Sequence, residues 1–269
     1  MGIRQRALAT VLHEATHWTL ARSQSLCAVL GSIAGWCIFQ TFASYRQSHC
    51  KEHHPFLGST QKDPDLANYD RQRLFEQPPQ SFLRQHLIEA ARGGKIAANI
   101  CNLIRDRLLV DDIGSLTTWA RVEYVGFALF WVLLICVVAM TGAWLPLILW
   151  LTAYLTVFQT LNWLIELCEH FPIIRTGKNE LEMTRNREGH WVEDFITGVH
   201  GEKWHLVHHL QPGIPFWLLH DAHRVMLADA AYAAANEGNS GVFTSGPDGR
   251  PSILTRMRDQ LAAYQRENA

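Results

Sequence analysis

What the sequence lacks narrows it first. Net charge is close to zero, with 24 Lys and Arg against 25 Asp and Glu, so there is no basic excess of the kind that binds nucleic acid. The six cysteines (Cys27, Cys37, Cys50, Cys101, Cys136 and Cys168) include no C-x-x-C pair. That spacing argues against a thiolate zinc site and a disulfide framework, and leaves separate reduced thiols in apolar surroundings. The opening residues MGIRQRALATVLHEATH hold no long apolar core ahead of His13, so no cleavable leader is expected in them. The largest absence lies mid-chain: residues 124–165 contain no Asp, Glu, Lys, Arg or His.

About forty uncharged residues are twice the length, about twenty, that crosses a bilayer as a helix. Gly142 and Pro146 sit near the middle, in the run TGAWLP. The pattern predicts a transmembrane hairpin with arms at 122–140 and 145–165. Tyr124, Trp144 and Trp163 near the arm ends fit an interfacial aromatic belt. Arg105, Arg107 and Arg121 precede the hairpin, Arg175, Lys178, Arg185 and Arg187 follow it, and its turn carries no Lys or Arg. The positive-inside rule therefore puts both flanks in the cytoplasm. A second apolar stretch, residues 26–43, is long enough to cross once. Residues 84–95 read as an amphipathic surface helix, 236–251 as a flexible Gly/Ser/Pro-rich linker, and 252–269 as a C-terminal amphipathic helix.

What is abundant is histidine, fourteen in all. Eight fall in three boxes: His13 and His17 (H-x3-H), His49, His53 and His54 (H-x3-H-H), and His205, His208 and His209 (H-x2-H-H). Residues three or four apart share a helix face, so each box offers two or more imidazoles to one cavity. Imidazole suits iron, zinc, copper and nickel. Eight such ligands exceed a single four-coordinate zinc and suit two metal ions with positions left open for O2.

The stretches HEATHW, YRQSHCKEHHPFLG followed by Asp63-Pro64-Asp65, and WHLVHHLQPGIP resemble the membrane fatty acid desaturase superfamily, the histidine-box di-iron desaturases with their related hydroxylases and carotenoid ketolases. The resemblance runs from about His13 to His223. It implies an all-α, membrane-embedded helical bundle over residues 1–235, with a cytoplasmic helical cap carrying a histidine-rich di-iron site. It implies two iron ions, O2 as co-substrate, and desaturation of a fatty acyl or similar lipid-like chain. It adds a ligand at the cytoplasmic end of the last transmembrane helix, where this sequence has Glu169-His170, so His170 joins the eight. Glu14, Glu166, Glu169 and His200 are the candidates to support the ligands from behind. His223 stays undecided, and His86, His190 and His220 read as ordinary. The superfamily usually has a transmembrane hairpin ahead of the first box. Here twelve residues precede His13, so either this variant lacks that hairpin or the sequence begins after it.

Boxes one and two must meet at one metal site, whereas a single crossing would part them by about 30 Å. Residues 26–43 are therefore expected to lie in the interface or half-way into the bilayer. No H-P-G-G cytochrome b5 motif is present, since Phe56 follows His54-Pro55, and no paired C-x-x-C of the rubredoxin kind. An external ferredoxin or cytochrome b5-type donor with its reductase is expected.

Other readings remain open. A hydroxylase or ketolase of the same superfamily would share every box. HEATH alone fits an H-E-x-x-H zinc hydrolase with Glu14 as general base, but leaves boxes two and three unexplained. Glu14/His17 and Glu202/His205 fit a soluble di-iron carboxylate bundle, which does not account for the uncharged run. A non-catalytic membrane metal-binding protein is the third alternative.

Overall fold

The computed structural model describes residues 1–103, 117–246 and 249–269. Every regular element among them is helical, in agreement with the all-α expectation. The chain divides into two compact units: Met1–Cys50 with Ala90–Thr160, and Lys51–Glu89 with Leu161–Ala269. Arg105 and Arg107, counted above as flanking charges, lie outside the described residues.

In the first unit the uncharged run opens as the helix Thr118–Thr141, whose first turn is capped by the Thr117 side chain. It stops at Gly142, which takes the left-handed conformation (φ 69°) that a helix end commonly assigns to glycine. An apolar helical stretch then runs Trp144–Thr176, and both it and Thr118–Thr141 are long and apolar enough to cross a membrane. Pro146 falls in the first turn, where its missing N–H costs nothing.

The stretch 26–43 does not form one helix. Helix Gln24–Trp36 has 13 residues, about 20 Å of rise, and the chain turns before a new helix starts at Phe42. It packs on helix Gly2–Thr16 through small residues. A Cβ on Gly31 would lie 2.6 Å from the Ala15 Cβ, so only glycine allows that approach. Its last carbonyls have unusual partners: the indole N–H of Trp131 donates to the Trp36 carbonyl and that of Trp150 to the Cys37 carbonyl, both at 3.0 Å. Glu123, at the foot of the first long helix, is buried. Its carboxylate accepts from the Ser32 hydroxyl (3.0 Å), the Ala43 N–H (2.8 Å) and the Phe42 N–H. It thereby caps the helix that carries the second histidine box.

The second unit is built on an apolar cluster that includes Leu66, Tyr69, Phe82 and Phe171. The closing helix Ile253–Glu267 buries Ile253, Leu254, Met257 and Leu261 in that same cluster, each contributing about 1.5–3 kcal/mol. Ahead of it, the buried Glu193 carboxylate accepts the N–H groups of Val242, Phe243 and Thr244. Pro247 and Asp248 of the proposed linker lie outside the described residues.

Two details differ from the sequence reading. The helix expected at 84–95 runs instead from Pro79 to Ala91, started by the Pro78-Pro79 pair and ended by Gly93 at φ 85°. Arg185 and Arg187, counted above as charges flanking the hairpin, are buried and engaged by the protein itself.

Candidate metal centre

The first unit gathers His13, His17 and His49. Their ring centroids lie 4.9, 4.7 and 5.2 Å apart in pairs. His13 is in the last turn of Gly2–Thr16 and His17 is its C-cap. His49 lies on a wide, π-type helical segment, Arg46–His53, rather than the α-helix that the spacing suggests. Such segments often mark functional sites. The Arg46 guanidinium donates to the Thr16 carbonyl and stacks over Trp18, so the start of the second box grips the end of the first. Tyr45 stacks on His49 with centroids 5.1 Å apart. Burial, His13 and the Arg46 charge push the His17 pKa down to about 2. It is neutral at physiological pH, the form that binds metal.

The second unit gathers six imidazoles. His54 Nε2 lies 3.1 Å from His208 Nε2, and His205 Nε2 lies 2.9 Å from His170 Nε2 and 3.1 Å from His209 Nε2. His53, His170 and His209, all buried, form a set whose ligand atoms lie within 4.8 Å of one another.

The tautomers follow from the partners behind the rings. His170 Nδ1 lies 3.1 Å from the Met183 carbonyl, which can only accept, so Nδ1 carries the proton and Nε2 is a bare lone pair. His53 Nδ1 lies 3.0 Å from a carboxylate oxygen of Asp63 and 3.2 Å from one of Asp65, and it too is the protonated nitrogen. Across these 2.9–3.1 Å contacts a neighbouring imidazole N–H can donate to a bare lone pair, and a bound cation would take that proton's place. Two nitrogens each about 2.1 Å from one ion and at right angles lie about 3.0 Å apart, which is the observed spacing. The donor set therefore fits a transition metal that favours imidazole. Without metal, a proton is the cation: burial opposes it, but Asp65, Asp63 and Glu166 raise the His53 pKa to about 9. His209 moves the other way, well below its ordinary value, through burial and the neighbouring histidines, His54 first.

Asp63 and Asp65 are the residues that sequence reading missed. Asp63 caps helix Pro64–Arg71 and accepts the Gly58 N–H at 2.8 Å while holding His53. The available signal was Asp63-Pro64-Asp65, a capping residue with proline at the first helical position, ten residues after His53.

The four supporting candidates are placed differently from one another. Glu14 is buried and accepts from the Thr19 hydroxyl at 2.6 Å, with His13 Nδ1 at 3.5 Å. Glu166 lies one turn before His170 and adds to the field on His53. Glu169 is held by Arg187 at 2.9 Å, and its other oxygen is 3.6 Å from His205 Nε2. His200 is exposed on a turn (φ 57°), its ring stacked on Phe216. His223, buried, bonds the Tyr232 hydroxyl at 2.7 Å and stacks on Trp204.

A family model described as fatty acid desaturase matches residues 1–237. The chain is also 36% identical, over 264 residues, to the dihydrorhizobitoxine desaturase of Bradyrhizobium elkanii, an alignment that covers 97% of this chain and 75% of that protein.

Proposed function

The chain belongs to the fatty acid desaturase family, and from that premise we propose that it is a membrane-embedded, O2-dependent desaturase whose histidines hold two iron ions. The observation that carries this reading is the set of imidazole nitrogens in the second unit, spaced about 3 Å apart, with the outer nitrogens of His53 and His170 engaged by oxygen acceptors. The proposed ligands are His13, His17 and His49 from the first unit and His53, His54, His170, His205, His208 and His209 from the second. His49 and His53 lie four residues apart on one helical segment, which ties the two groups covalently.

Bound iron would supply the activation of O2 and the oxidising power to remove hydrogen from an unactivated carbon. The chain's own residues do the rest. Asp63, Asp65 and the Met183 carbonyl keep the outer imidazole nitrogens protonated, so the inner ones are free to bind metal. Overall, a CH2–CH2 unit would give up two hydrogen atoms (two protons and two electrons), an external ferredoxin or cytochrome b5-type donor two more electrons and solvent two protons, and O2 would leave as two waters.

In the proposed bilayer the spans are Thr118–Thr141 and the apolar part of Trp144–Thr176. Arg121, Arg175 and Lys178 lie on the flanks, and the turn at Gly142-Ala143 has no charge, which favours a cytoplasmic metal site. The substrate is a fatty acyl or similar lipid-like chain. A second reading, favoured by identity along nearly the whole chain, is a substrate related to dihydrorhizobitoxine.

The test is metal content by mass spectrometry of detergent-purified protein from cells supplied with both iron and zinc. About two irons per chain is the expected result. One zinc with little iron would overturn the reading.

A further inference from the structure

The segment 183–187 (Met-Thr-Arg-Asn-Arg) carries two positive charges that are buried and bonded within the second unit. The Met183 carbonyl fixes the His170 ring. The Arg185 guanidinium donates to the Cys168 carbonyl (3.0 Å), the Phe171 carbonyl (2.9 Å) and Gln260 Oε1 (2.7 Å), closing the end of the helix that presents Glu169 and His170. Its own N–H donates to the Glu169 carbonyl at 3.0 Å. Asn186 is fully buried, and its Oδ1 accepts the N–H groups of Leu206 (2.9 Å) and Val207 (3.4 Å), at the start of the helix that carries box three. Its Nδ2 donates to the Tyr232 hydroxyl and to Asn236 Oδ1. Arg187 holds Glu169 beside His205 and also donates to the Thr197 and Glu202 carbonyls.

We propose that residues 183–187 are the positioning strap of the second unit's imidazole cluster: one short segment sets the His170 ring, the start of the box-three helix and the Glu169 carboxylate together. The strap reaches beyond residue 237, where the family match ends, to the closing helix. Helix Ile253–Glu267 supplies Gln260, the one side-chain acceptor of the three that Arg185 engages. None of these residues is a ligand. They act through the ligands, and the assignment rests on the metal-site reading above.

Asn186 separates positioning from mere packing. An Asn186→Leu variant keeps the volume and removes the acceptor for the Leu206 and Val207 amides. Asn186→Asp keeps an acceptor oxygen at the helix start. Two readouts apply to the detergent-purified full chain: amide hydrogen exchange of residues 205–210 in metal-free protein, and iron per chain with the Mössbauer spectrum after loading with ferrous iron. The expected result is exchange about tenfold or more faster in the Leu variant, iron lowered by half or more with a broadened spectrum, and partial recovery of both in the Asp variant, which keeps the acceptor but loses the Nδ2 donor. Wild-type exchange and an unchanged iron spectrum in the Leu variant would overturn the strap while leaving the metal site standing. If the Leu variant does not fold, Gln260→Ala, a milder cut in the same strap, decides: an altered iron spectrum supports the assignment and an unchanged one overturns it. A wild-type chain that takes up no iron would overturn the metal-site reading, and the strap with it.

Discussion

The two groups of histidines are built in different ways. In the first unit, His13, His17 and His49 are placed mainly by local helix geometry and by Arg46 gripping a helix end. The acid beside them, Glu14, stands 3.5 Å from His13 Nδ1, beyond a good hydrogen bond. In the second unit two imidazoles are held closely from behind, His53 by Asp63 and Asp65 and His170 by the Met183 carbonyl, while Arg187 holds Glu169. A ligand whose outer nitrogen is fixed does not have to be ordered when metal arrives. His53 and His170 are thus pre-organised for metal, and metal is expected to fill the second group first.

That contrast can be broken at four points. The largest effect is expected from removing a buried ligand. His209→Ala should abolish activity and most iron binding, whereas His13→Ala should retain about one iron per chain. Equal losses in the two variants would erase the distinction between the groups. Next, Asp63→Asn should weaken metal binding by about 10- to 100-fold, read by competition with a chelator. An unchanged affinity would show that His53 needs no carboxylate behind it.

A third test is the pH dependence of the melting temperature of metal-free protein. His209 has a folded pKa well below its ordinary 6.5. Below pH 6.5 the unfolded chain takes a proton that the folded chain refuses, so stability falls as pH drops, by up to about 1.4 kcal/mol per pH unit for each such group. His53, raised to about 9, has the opposite sign: its contribution is full below 6.5 and is lost as pH climbs to about 9. Stability should therefore peak near pH 6.5. The alkaline limb should flatten on adding metal, which replaces that proton, and a limb that keeps its slope would contradict the tautomer assigned to His53. The smallest effect is expected for Glu14→Gln, below about threefold in metal affinity given its long contact. A loss as large as that of Asp63→Asn would mean the first group is as firmly held as the second.

Much of this was legible in the chain. The histidine boxes reported themselves through spacing, and the hairpin through its missing charges and Gly142. The supporting contacts did not. A backbone carbonyl such as that of Met183 leaves no mark in a sequence, and Asn186 reaches a helix 20 residues away. Arg185 and Arg187 read only as charges flanking the hairpin, because composition does not distinguish an arginine facing water from one enclosed by carbonyls. Glu123 likewise read as the last charge before a membrane span, while its carboxylate caps the helix of box two. The π-type winding around His49 and His53 was hidden too, since residues four apart lie near one face in either kind of helix.

The indole contacts at the end of helix Gln24–Trp36 carry a wider consequence. A helix that stops in hydrocarbon leaves carbonyls that no water can reach. Here two tryptophans of the proposed spans hold out their N–H groups at that height and serve as a fixed, two-molecule solvent. In the proposed bilayer, the depth to which the chain dips would be set by the height of the indoles along their own helices, as on a ruler. A protein built this way would carry the same buried floor into membranes of different thickness.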